Sequence, residues 1–381
     1  MSTLYLDNAA TTPVNPGALN AAWPFLTTEF GNASSTHELG ERAATALADA
    51  RSRVAQALGA RAAEIVFTSG GTEGDNMAIV GLALSSPRGQ HIVSARTEHE
   101  AVLASLEYLE RVHGFEVTWL DVARDASLSP ADLEAALRDD TTLVTLMMAN
   151  NEVGTIHPIP QLAEMAHRRG ALVHTDAVQA LGWLRVDVRE LGVDALTFSG
   201  HKIGAPKGSG AVYLRSGLAI EPLLHGGGQE GDRRSGTENV AWAVALATAL
   251  ELLPESDTEG PRVGQLRDAF IDHVLSTVPE ARLTGSAQDR LASIASFTLA
   301  GVGGEAILLE LERRGVIVSS GSACAAGRDD PSHVLMACGF SEDEARTSVR
   351  FSLSHSTTAD DLARAARALS ESVAAVSGLG R

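Results

Sequence analysis

The segment DALTFSGHKIGAPKGSGAVYL (residues 194–214) contains two short apolar runs separated by a glycine-rich loop. The runs 194–200 and 210–214 predict two β-strands. The loop between them contains the only two lysines of the 381-residue chain, Lys202 and Lys207, whereas the other 28 of the 30 basic residues are arginines. An amine can become a nucleophile, which the permanently charged guanidinium of arginine cannot. The loop therefore contains two candidates for amine chemistry, although two ordinary surface lysines would give the same count.

Five more apolar runs, each ending in small or polar residues, precede this segment. They lie at residues 64–69, 91–96, 116–122, 141–149 and 171–176. Helical spacing of apolar residues is found between the runs, for example over 38–58 and 101–112. Strands that alternate with helices need crossover connections, which favour parallel pairing. We therefore predict an α/β fold with a mostly parallel seven-stranded sheet.

The pattern changes after the helical run 240–253. Residues 254–264 are rich in proline, glycine and acids, a composition typical of a linker. Three further strands are predicted, at 293–300, 316–320 and 348–354, with a helix over 305–314. We predict a large domain over residues 16–255 and a smaller α+β domain that consists of 1–15 and 256–381.

Composition excludes several classes of protein. A hydrophobic content of 44% with 20% charged residues is typical of a globular chain, and the net charge of −18 repels nucleic acid and anionic membranes. Two cysteines are too few for a disulfide framework and have no metal-ligand spacing. The start of the chain shows no signal-peptide pattern. We expect a cytoplasmic protein without a metal site, without direct nucleic-acid binding and without membrane association.

Candidate site residues follow the predicted strands, because ligands collect at the carboxyl ends of an open parallel sheet. Gly71 and Thr72 begin a helix after the run 64–69, where backbone N–H groups can bind a phosphate. Asp176 ends the run 171–176, and a buried carboxylate there would suit a pyridinium nitrogen. Lys202 follows the next strand, with Ser199 and His201 close by. A common glycine turn and an aspartate that caps a helix are the structural alternatives.

Three more polar residues extend this set. His99 follows the run 91–96 and could stack on a flat cofactor. Asn151 follows the run 141–149 and could donate to a cofactor oxygen or to a substrate carboxylate. Arg350 lies on the opposite face of its strand from Val349 and Phe351, so it could bind an α-carboxylate if that face lines a cleft. The alternatives are a structural histidine, turn chemistry and a solvated arginine.

The two cysteines differ in their surroundings. Cys324 lies in SSGSACAAG (319–327), a stretch of small residues suited to a mobile arm, whereas Cys338 lies in the apolar stretch HVLMACGF. A thiol on a mobile arm can act as a nucleophile once it is ionised. We therefore expect Cys324 to be reactive and Cys338 to be packed, although an inert cysteine in a flexible loop would have the same sequence.

Ten motifs, in this order along the chain, resemble those of the cysteine desulfurases of the nitrogen-fixation and iron-sulfur-cluster type, a group of the class V aminotransferase family. They are DNAATTP (7–13), GNASSTH (31–37), TSGGTEGDN (68–76), TEHEAV (97–102), NNEVGTI (150–156), HTDAVQ (174–179), SGHKIGAPKG (199–208), RRSGTEN (233–239), SSGSAC (319–324) and PSHVL (331–335). The resemblance spans nearly the whole chain.

The resemblance implies a homodimeric fold-type-I enzyme that uses pyridoxal 5'-phosphate to convert L-cysteine to L-alanine. It also implies that the sulfur remains on the enzyme as a persulfide and passes to an acceptor protein for iron-sulfur cluster assembly or tRNA thiolation. The catalytic residues would be Lys202, as Schiff-base lysine and proton carrier, Cys324, as persulfide carrier, and His99, which would stack on the ring.

The remaining roles implied by the resemblance concern binding. Asp176 and Gln179 would hold the ring nitrogen and the phenolate oxygen, and Asn151 and Arg350 would orient the substrate. The phosphate would be bound by Gly71, Thr72, Ser199 and His201 and by Thr237 of the partner subunit. Two stretches depart from the family pattern, CAAGRDDPSHVL (324–335) and SLSHSTT (352–358). An aminotransferase or selenocysteine lyase that does not need Cys324, and a non-catalytic scaffold of a sulfur pathway, are the alternative functions.

Overall fold

The computed structural model describes residues 3–85, 87–320 and 331–379. Its strands are β1 (Leu4–Tyr5), β2 (Ile65–Thr68), β3 (His91–Ala95), β4 (Glu116–Leu120), β5 (Thr141–Thr145), β6 (Leu172–Asp176), β7 (Ala195–Ser199), β8 (Gly210–Leu214), β9 (Ala281–Leu283), β10 (Ile294–Leu299), β11 (Val316–Ile317) and β12 (Ser348–Ser352). Every predicted strand is present.

The central sheet has seven strands in the order β2-β8-β7-β6-β5-β3-β4. Strand β8 runs antiparallel to β2 and β7, and the other pairs are parallel. The prediction of a mostly parallel seven-stranded sheet is therefore confirmed. The predicted strand 141–149 ends earlier, at Thr145, where its pairing with β3 has stopped. Leu146 and Met148 still donate backbone hydrogen bonds to β6, which keeps the following residues at the carboxyl end of the sheet.

The described ranges contain thirteen α-helices, most of which lie between two strands in chain order. They are α1 (Pro16–Thr27), α2 (Glu38–Ala57), α3 (Gly71–Ser85), α4 (Glu100–His113), α5 (Pro130–Ala136), α6 (Ile159–Arg168), α7 (Val188–Leu191), α8 (Val240–Glu251), α9 (Ser256–Thr277), α10 (Gly304–Arg313), α11 (His333–Ala337), α12 (Glu342–Ala345) and α13 (Ala359–Leu379), with short 3-10 turns at Ala62–Glu64 and Gly200–Lys202. None of the helices in the described ranges is long and apolar enough to cross a membrane.

Helix α3 packs unusually close to the sheet. Nine of its 15 residues are buried, and a Cβ atom built on Gly74 would lie 2.5 Å from the side chain of Thr197 in β7. Only glycine allows this approach, because real Cβ atoms do not come so near to other atoms. The close contact fixes the first turn of α3 beside the end of β7.

A second core forms in the C-terminal part of the chain. Strand β10 pairs antiparallel with β9 and β12, and β1 pairs parallel with β11. Phe270, Phe297 and Phe351 meet edge to face in this core, with centroids 5.0–6.3 Å apart. Leu6, from the N-terminal segment, belongs to the same core. The domain boundaries that we predict at residues 15 and 255 remain a prediction.

The predicted linker at 254–264 is wrong for most of its length. Helix α9 begins at Ser256 and contains Pro261. Its buried residues Val263, Phe270 and Val274 form an apolar stripe that packs into the second core. Burial of that stripe outweighs the unfavourable helix propensity of proline and glycine.

Candidate functional site

A cavity of about 170 Å³ opens at the carboxyl ends of the parallel strands. Six residues that the sequence singles out line it together: His99, Asn151, Asp176, Gln179, Lys202 and Arg350. An adjoining cavity of about 550 Å³ shares Lys202 and Gln179 as lining residues. The six residues come from different strand ends and from β12, so the fold brings together groups that are far apart in sequence.

Lys202 lies in the 3-10 turn that follows β7 and lines the cavity. The Nζ atom donates hydrogen bonds to the backbone carbonyls of Ala9 and Ala10, the latter at 2.9 Å. Gln179 donates to the same Ala9 carbonyl at 3.0 Å. Lys207 is exposed and is not a lining residue of this cavity. Of the two lysines, Lys202 is therefore the candidate for chemistry.

Asp176 ends β6 and is only 6% exposed. Its Oδ1 atom accepts a hydrogen bond of 2.7 Å from the backbone N–H of Val178. Burial raises the pKa of Asp176, while the nearby charges of His99 and Lys202 act in the opposite direction. A carboxylate that is so deeply buried and that lines a cavity is suited to a ligand with a cationic N–H group.

Two further buried carboxyl groups lie near Asp176. Asp75 and Glu98 are at most 1% exposed, and each has one oxygen without a hydrogen-bond partner among the described residues. Burial, with a contribution from Asp176, raises the pKa of both groups well above the usual range. Burial also lowers the pKa of His174, which lies 3.7 Å from Asp75, to about 3, so this imidazole is neutral. Of these three acids only Asp176 lines the cavity, so a cationic group of a ligand would pair with Asp176.

The predicted phosphate turn lies beside β7. Gly70 adopts φ +153°, and a Cβ atom built on Gly70 or Gly71 would lie 3.6–3.7 Å from the side chain of Ser199. The first helical hydrogen bond is donated by the N–H of Gly74 to Gly70, so the N–H groups of Gly71 and Thr72 have no partner within the helix. This combination of a helix start and a nearby hydroxyl group is typical of a site for an anion.

Arg350 is 2% exposed, which excludes the solvated edge position considered above. Its guanidinium donates to the carbonyl of Asn151 at 2.8 Å and to a carboxylate oxygen of Asp7 at 2.9 Å. The buried Nε atom has no hydrogen-bond partner among the described residues. His99 caps α4, since its Nδ1 atom accepts from the N–H of Ala101 at 3.1 Å, and its side chain also lines the cavity.

The family model "Aminotransferase class-V" matches residues 4–364. The chain belongs to this family. A cysteine desulfurase named IscS from Dictyoglomus turgidum is 47% identical over 361 residues, which are 94% of this chain and 91% of the relative. A second cysteine desulfurase named IscS, from Methanosarcina thermophila, is 45% identical over 372 residues, which are 97% of this chain and 92% of the relative. The recognition of the chain as a member of the cysteine desulfurase group is thus confirmed.

Solved structures agree with the fold. A NifS-like protein has a TM-score of 0.88 at 32% identity and covers 97% of this chain and 98% of its own. A structure described as SspA in complex with cysteine has a TM-score of 0.82 at 35% identity, and the match covers 92% of this chain and 99% of that structure's chain. The fold-type-I architecture that the resemblance to this class V group implies is therefore confirmed.

Five predicted site residues within the described ranges do not line the 170 Å³ cavity: Gly71, Thr72 and Ser199 of the phosphate turn, His201 and Thr237. The Nδ1 atom of His201 lies 3.2 Å from the hydroxyl of Thr11, and burial together with Lys202 and Lys207 lowers the pKa of His201 to about 4. Thr237 lines a separate cavity of about 240 Å³. Cys324 lies outside the described residues.

Cys338 is packed as predicted. It is 5% exposed, and burial raises the pKa of its thiol to about 12. It is therefore neutral and a poor nucleophile at neutral pH.

Sequence reasoning missed the backbone carbonyls of Ala9 and Ala10 and the buried carboxyl groups of Asp75 and Glu98. The segment DNAATTP contributes main-chain carbonyls, and these cannot be predicted from the sequence because every residue type has one. Asp75 did carry a signal, because it is an acid two residues before the apolar run MAIVGLAL (77–84) of α3. An acid at that position faces either solvent or the protein interior, and periodicity alone does not distinguish the two.

The raised pKa of Asp75 predicts a pH-dependent effect of Asp75→Asn on stability. An acid whose folded-state pKa is raised stabilises the fold fully below its unfolded pKa, and this contribution is lost as the pH rises through the folded value. Asparagine does not titrate, so we expect Asp75→Asn to raise Tm relative to the wild type more at pH 8 than at pH 5. Thermal unfolding monitored by circular dichroism measures this difference.

Glu107→Gln, at an exposed position of α4, is the control and should shift Tm equally at both pH values. A Tm difference for Asp75→Asn that does not change between pH 5 and pH 8 would show that this carboxyl group is not buried in the way described.

Proposed function

We propose that this protein is a pyridoxal 5'-phosphate-dependent cysteine desulfurase that converts L-cysteine to L-alanine and retains the sulfur as a persulfide on Cys324. The observation that carries the proposal is the convergence of Lys202, Asp176, His99, Gln179, Asn151 and Arg350 on one cavity. The relatives named cysteine desulfurase and the structure described as a complex with cysteine support the substrate.

The residues fit the cofactor at each of its functional groups. The buried Asp176 carboxylate suits a protonated ring nitrogen, and the amine of Lys202 suits the aldehyde carbon. The turn at Gly71 and Thr72, with Ser199 beside it, suits the phosphate. His99 would lie against the ring, and Gln179 would donate to the phenolate oxygen. The bound cofactor supplies an electron sink that makes the Cα proton of the substrate removable.

The protein's own groups perform the remaining tasks. Asp176 would keep the ring nitrogen protonated, because a carboxylate in a site of low dielectric strongly favours a neighbouring positive charge. The amine of Lys202 would take the proton from Cα of the substrate and later return it to Cα. Asn151 and the buried guanidinium of Arg350 would orient the substrate carboxylate, with Asp7 holding Arg350 in place at 2.9 Å.

The sulfur step assigns a role to Cys324. Its thiolate attacks Sγ of the substrate, so an S–S bond forms between the two sulfur atoms and the Cβ–Sγ bond breaks. Cβ then takes the proton that the Cys324 thiol has lost and becomes the methyl group of alanine. Cα regains its proton from Lys202, and the sulfur remains on Cys324 as a persulfide. An acceptor protein of iron-sulfur cluster assembly or of tRNA thiolation would receive it.

We propose a homodimer in the cytoplasm. Thr237 is exposed, as is needed for a residue that reaches the cofactor phosphate of the partner subunit. Leu19, Trp23 and Leu26 of α1, with Phe30 beyond its end, are 42–67% exposed and would be covered in a dimer. The small number of cysteines suits a reducing compartment.

Substitution of the two lysines tests the cofactor assignment. We expect Lys202→Ala to lose the visible absorption band of the attached cofactor and at least ~100-fold in the rate of alanine formation, because both the attachment point and the proton carrier are gone. Lys207→Ala, at the exposed lysine, should keep the band and the rate. Absorption spectra and alanine assays measure both. A colourless wild-type protein that is correctly folded would instead favour the scaffold alternative.

Mass spectrometry after addition of L-cysteine tests the persulfide. We expect one extra sulfur atom on the peptide that contains Cys324 and none on the peptide that contains Cys338, whose thiol is buried and neutral. In addition, Cys324→Ala should form alanine from cysteine at a greatly reduced rate. Undiminished alanine formation by Cys324→Ala would favour the aminotransferase or selenocysteine lyase alternative.

A further inference from the structure

Residues 226–239 form a loop, here called the Thr237 loop, that is anchored firmly to its own subunit. Glu230 within the loop is 8% exposed and accepts two hydrogen bonds, of 2.5 and 2.6 Å, from the guanidinium of Arg51 in α2. It also accepts from the backbone N–H of Phe67 in β2 at 2.9 Å. Such a buried bidentate pair is costly to break, because the remaining charge would be left without a partner. The base of the loop is therefore fixed to α2 and β2.

A second anchor connects the loop to the phosphate turn. One carboxylate oxygen of Glu73, in the first turn of α3, accepts from the Nε atom of Arg234 in the loop at 2.8 Å. The other oxygen accepts from the backbone N–H of Ser69, also at 2.8 Å. Ser69 immediately precedes the glycine pair of the turn. A single carboxylate thus bridges the phosphate turn and the segment that leads to Thr237.

The bridge is ionised and only partly accessible to solvent. The side chains of Glu73 and Arg234 are 17% and 25% exposed. Although burial acts against ionisation, the hydrogen bonds from Arg234 and Ser69 lower the pKa of Glu73. Its contribution to stability is therefore present at neutral pH and is lost only as the pH falls through this lowered pKa. The contact is a charge-assisted one in a partly desolvated site, which is stronger than an exposed ion pair.

The bridge lies next to a cavity. Ser69, Arg234 and Thr237 all line this cavity, which has a volume of about 240 Å³. Glu230 holds the loop to α2 and β2 seven residues before Thr237, whereas Glu73 holds Arg234, which is only three residues before Thr237. We therefore expect the position of Thr237 relative to the phosphate turn to depend on Glu73 as well as on Glu230.

We propose that Glu73 is a positioning residue that couples the two cofactor sites of the dimer. The inference rests on the proposed function, in which the phosphate turn serves the site of its own subunit while Thr237 serves the site of the partner. A phosphate bound at the turn orders Ser69 and Gly71. Glu73 transmits this order through Arg234 to the Thr237 loop, and Thr237 is thereby placed for the phosphate of the partner subunit.

Two consequences follow. Cofactor binding in one subunit raises the affinity of the other, and the effect is reciprocal because it is a coupling free energy between two binding sites. Loss of Glu73 in one subunit weakens the site of the unaltered partner. A residue that merely stabilised its own turn would have no such effect in trans.

Heterodimers with two different affinity tags test the effect in trans. One subunit is wild type, and the other carries Lys202→Ala, so cofactor attaches covalently only to the wild-type subunit. The apo-heterodimer is titrated with pyridoxal 5'-phosphate, and the absorption band of cofactor on Lys202 gives Kd, checked by borohydride reduction and mass spectrometry. Adding Glu73→Gln to the Lys202→Ala subunit should raise Kd at the wild-type site about 5- to 10-fold, within the usual range for coupled sites.

Three further variants make the result specific. Arg234→Gln in the Lys202→Ala subunit should reproduce the increase in Kd, and it serves if Glu73→Gln does not fold. Thr237→Val in that subunit should also weaken the wild-type site, and adding Glu73→Gln to Thr237→Val should cause little further change. Glu164→Gln, which removes an exposed pair with Arg168, is the matched control and should leave Kd unchanged.

An unchanged Kd in the heterodimers with Glu73→Gln and Arg234→Gln would overturn the coupling. The coupling would also be overturned if the double variant Glu73→Gln and Thr237→Val raised Kd by the product of the two single increases. If the wild-type homodimer bound no cofactor at all, the proposed function itself would fall, and the two failures are therefore distinguishable.

Discussion

The site depends on a carboxylate that is buried at the end of a parallel strand. Asp176 is placed there by β6, which has neighbours on both sides, and it is accompanied by two more buried acids, Asp75 and Glu98. Burial raises the pKa of all three acids, and Asp176 further raises the pKa values of Asp75 and Glu98. A positive partner at Asp176 would favour the ionised form of this carboxyl group. The cavity next to Asp176 is where that partner would bind. A fold that merely needed stability would have apolar side chains at these positions.

A short N-terminal segment connects this carboxylate to the second core. Leu6 is buried in that core, and the following Asp7 holds Arg350 at 2.9 Å. Ala9 then donates its N–H to the hydroxyl of Ser352 and accepts hydrogen bonds from Lys202 and Gln179. The segment therefore fixes Arg350 and Lys202 relative to each other, mainly through its main-chain atoms and the Asp7 side chain.

Much of the architecture was predictable because the signals were local. The strand that ends at Asp176 is a short apolar run followed by a polar residue, and β7 before Lys202 has the same form. The scarcity of lysine left two candidates, and burial and position distinguish Lys202 from Lys207. Helix α9 was not predictable in this way, because its stabilising contacts are made by Phe270 with Phe351, which is 81 positions further along the chain.

Contacts between segments that are far apart in sequence also could not be predicted from local sequence patterns. The motif RRSGTEN indicated a role for Thr237, but nothing in its spacing indicated that Arg234 would contact Glu73. The main-chain carbonyls that accept hydrogen bonds from Lys202 cannot be predicted from residue types. The buried acids near Asp176, which are Asp75 and Glu98, are recognisable only once their burial is known. Periodicity specifies which face of an element is apolar, whereas the identity of the facing element is a property of the tertiary fold.

A crystal structure of the cofactor-loaded protein tests the central claim most directly. We predict a ring nitrogen within hydrogen-bond distance of an Asp176 carboxylate oxygen and the phosphate at the N–H groups of Gly71 and Thr72. A cofactor bound elsewhere, with Asp176 contacted by protein groups alone, would contradict it.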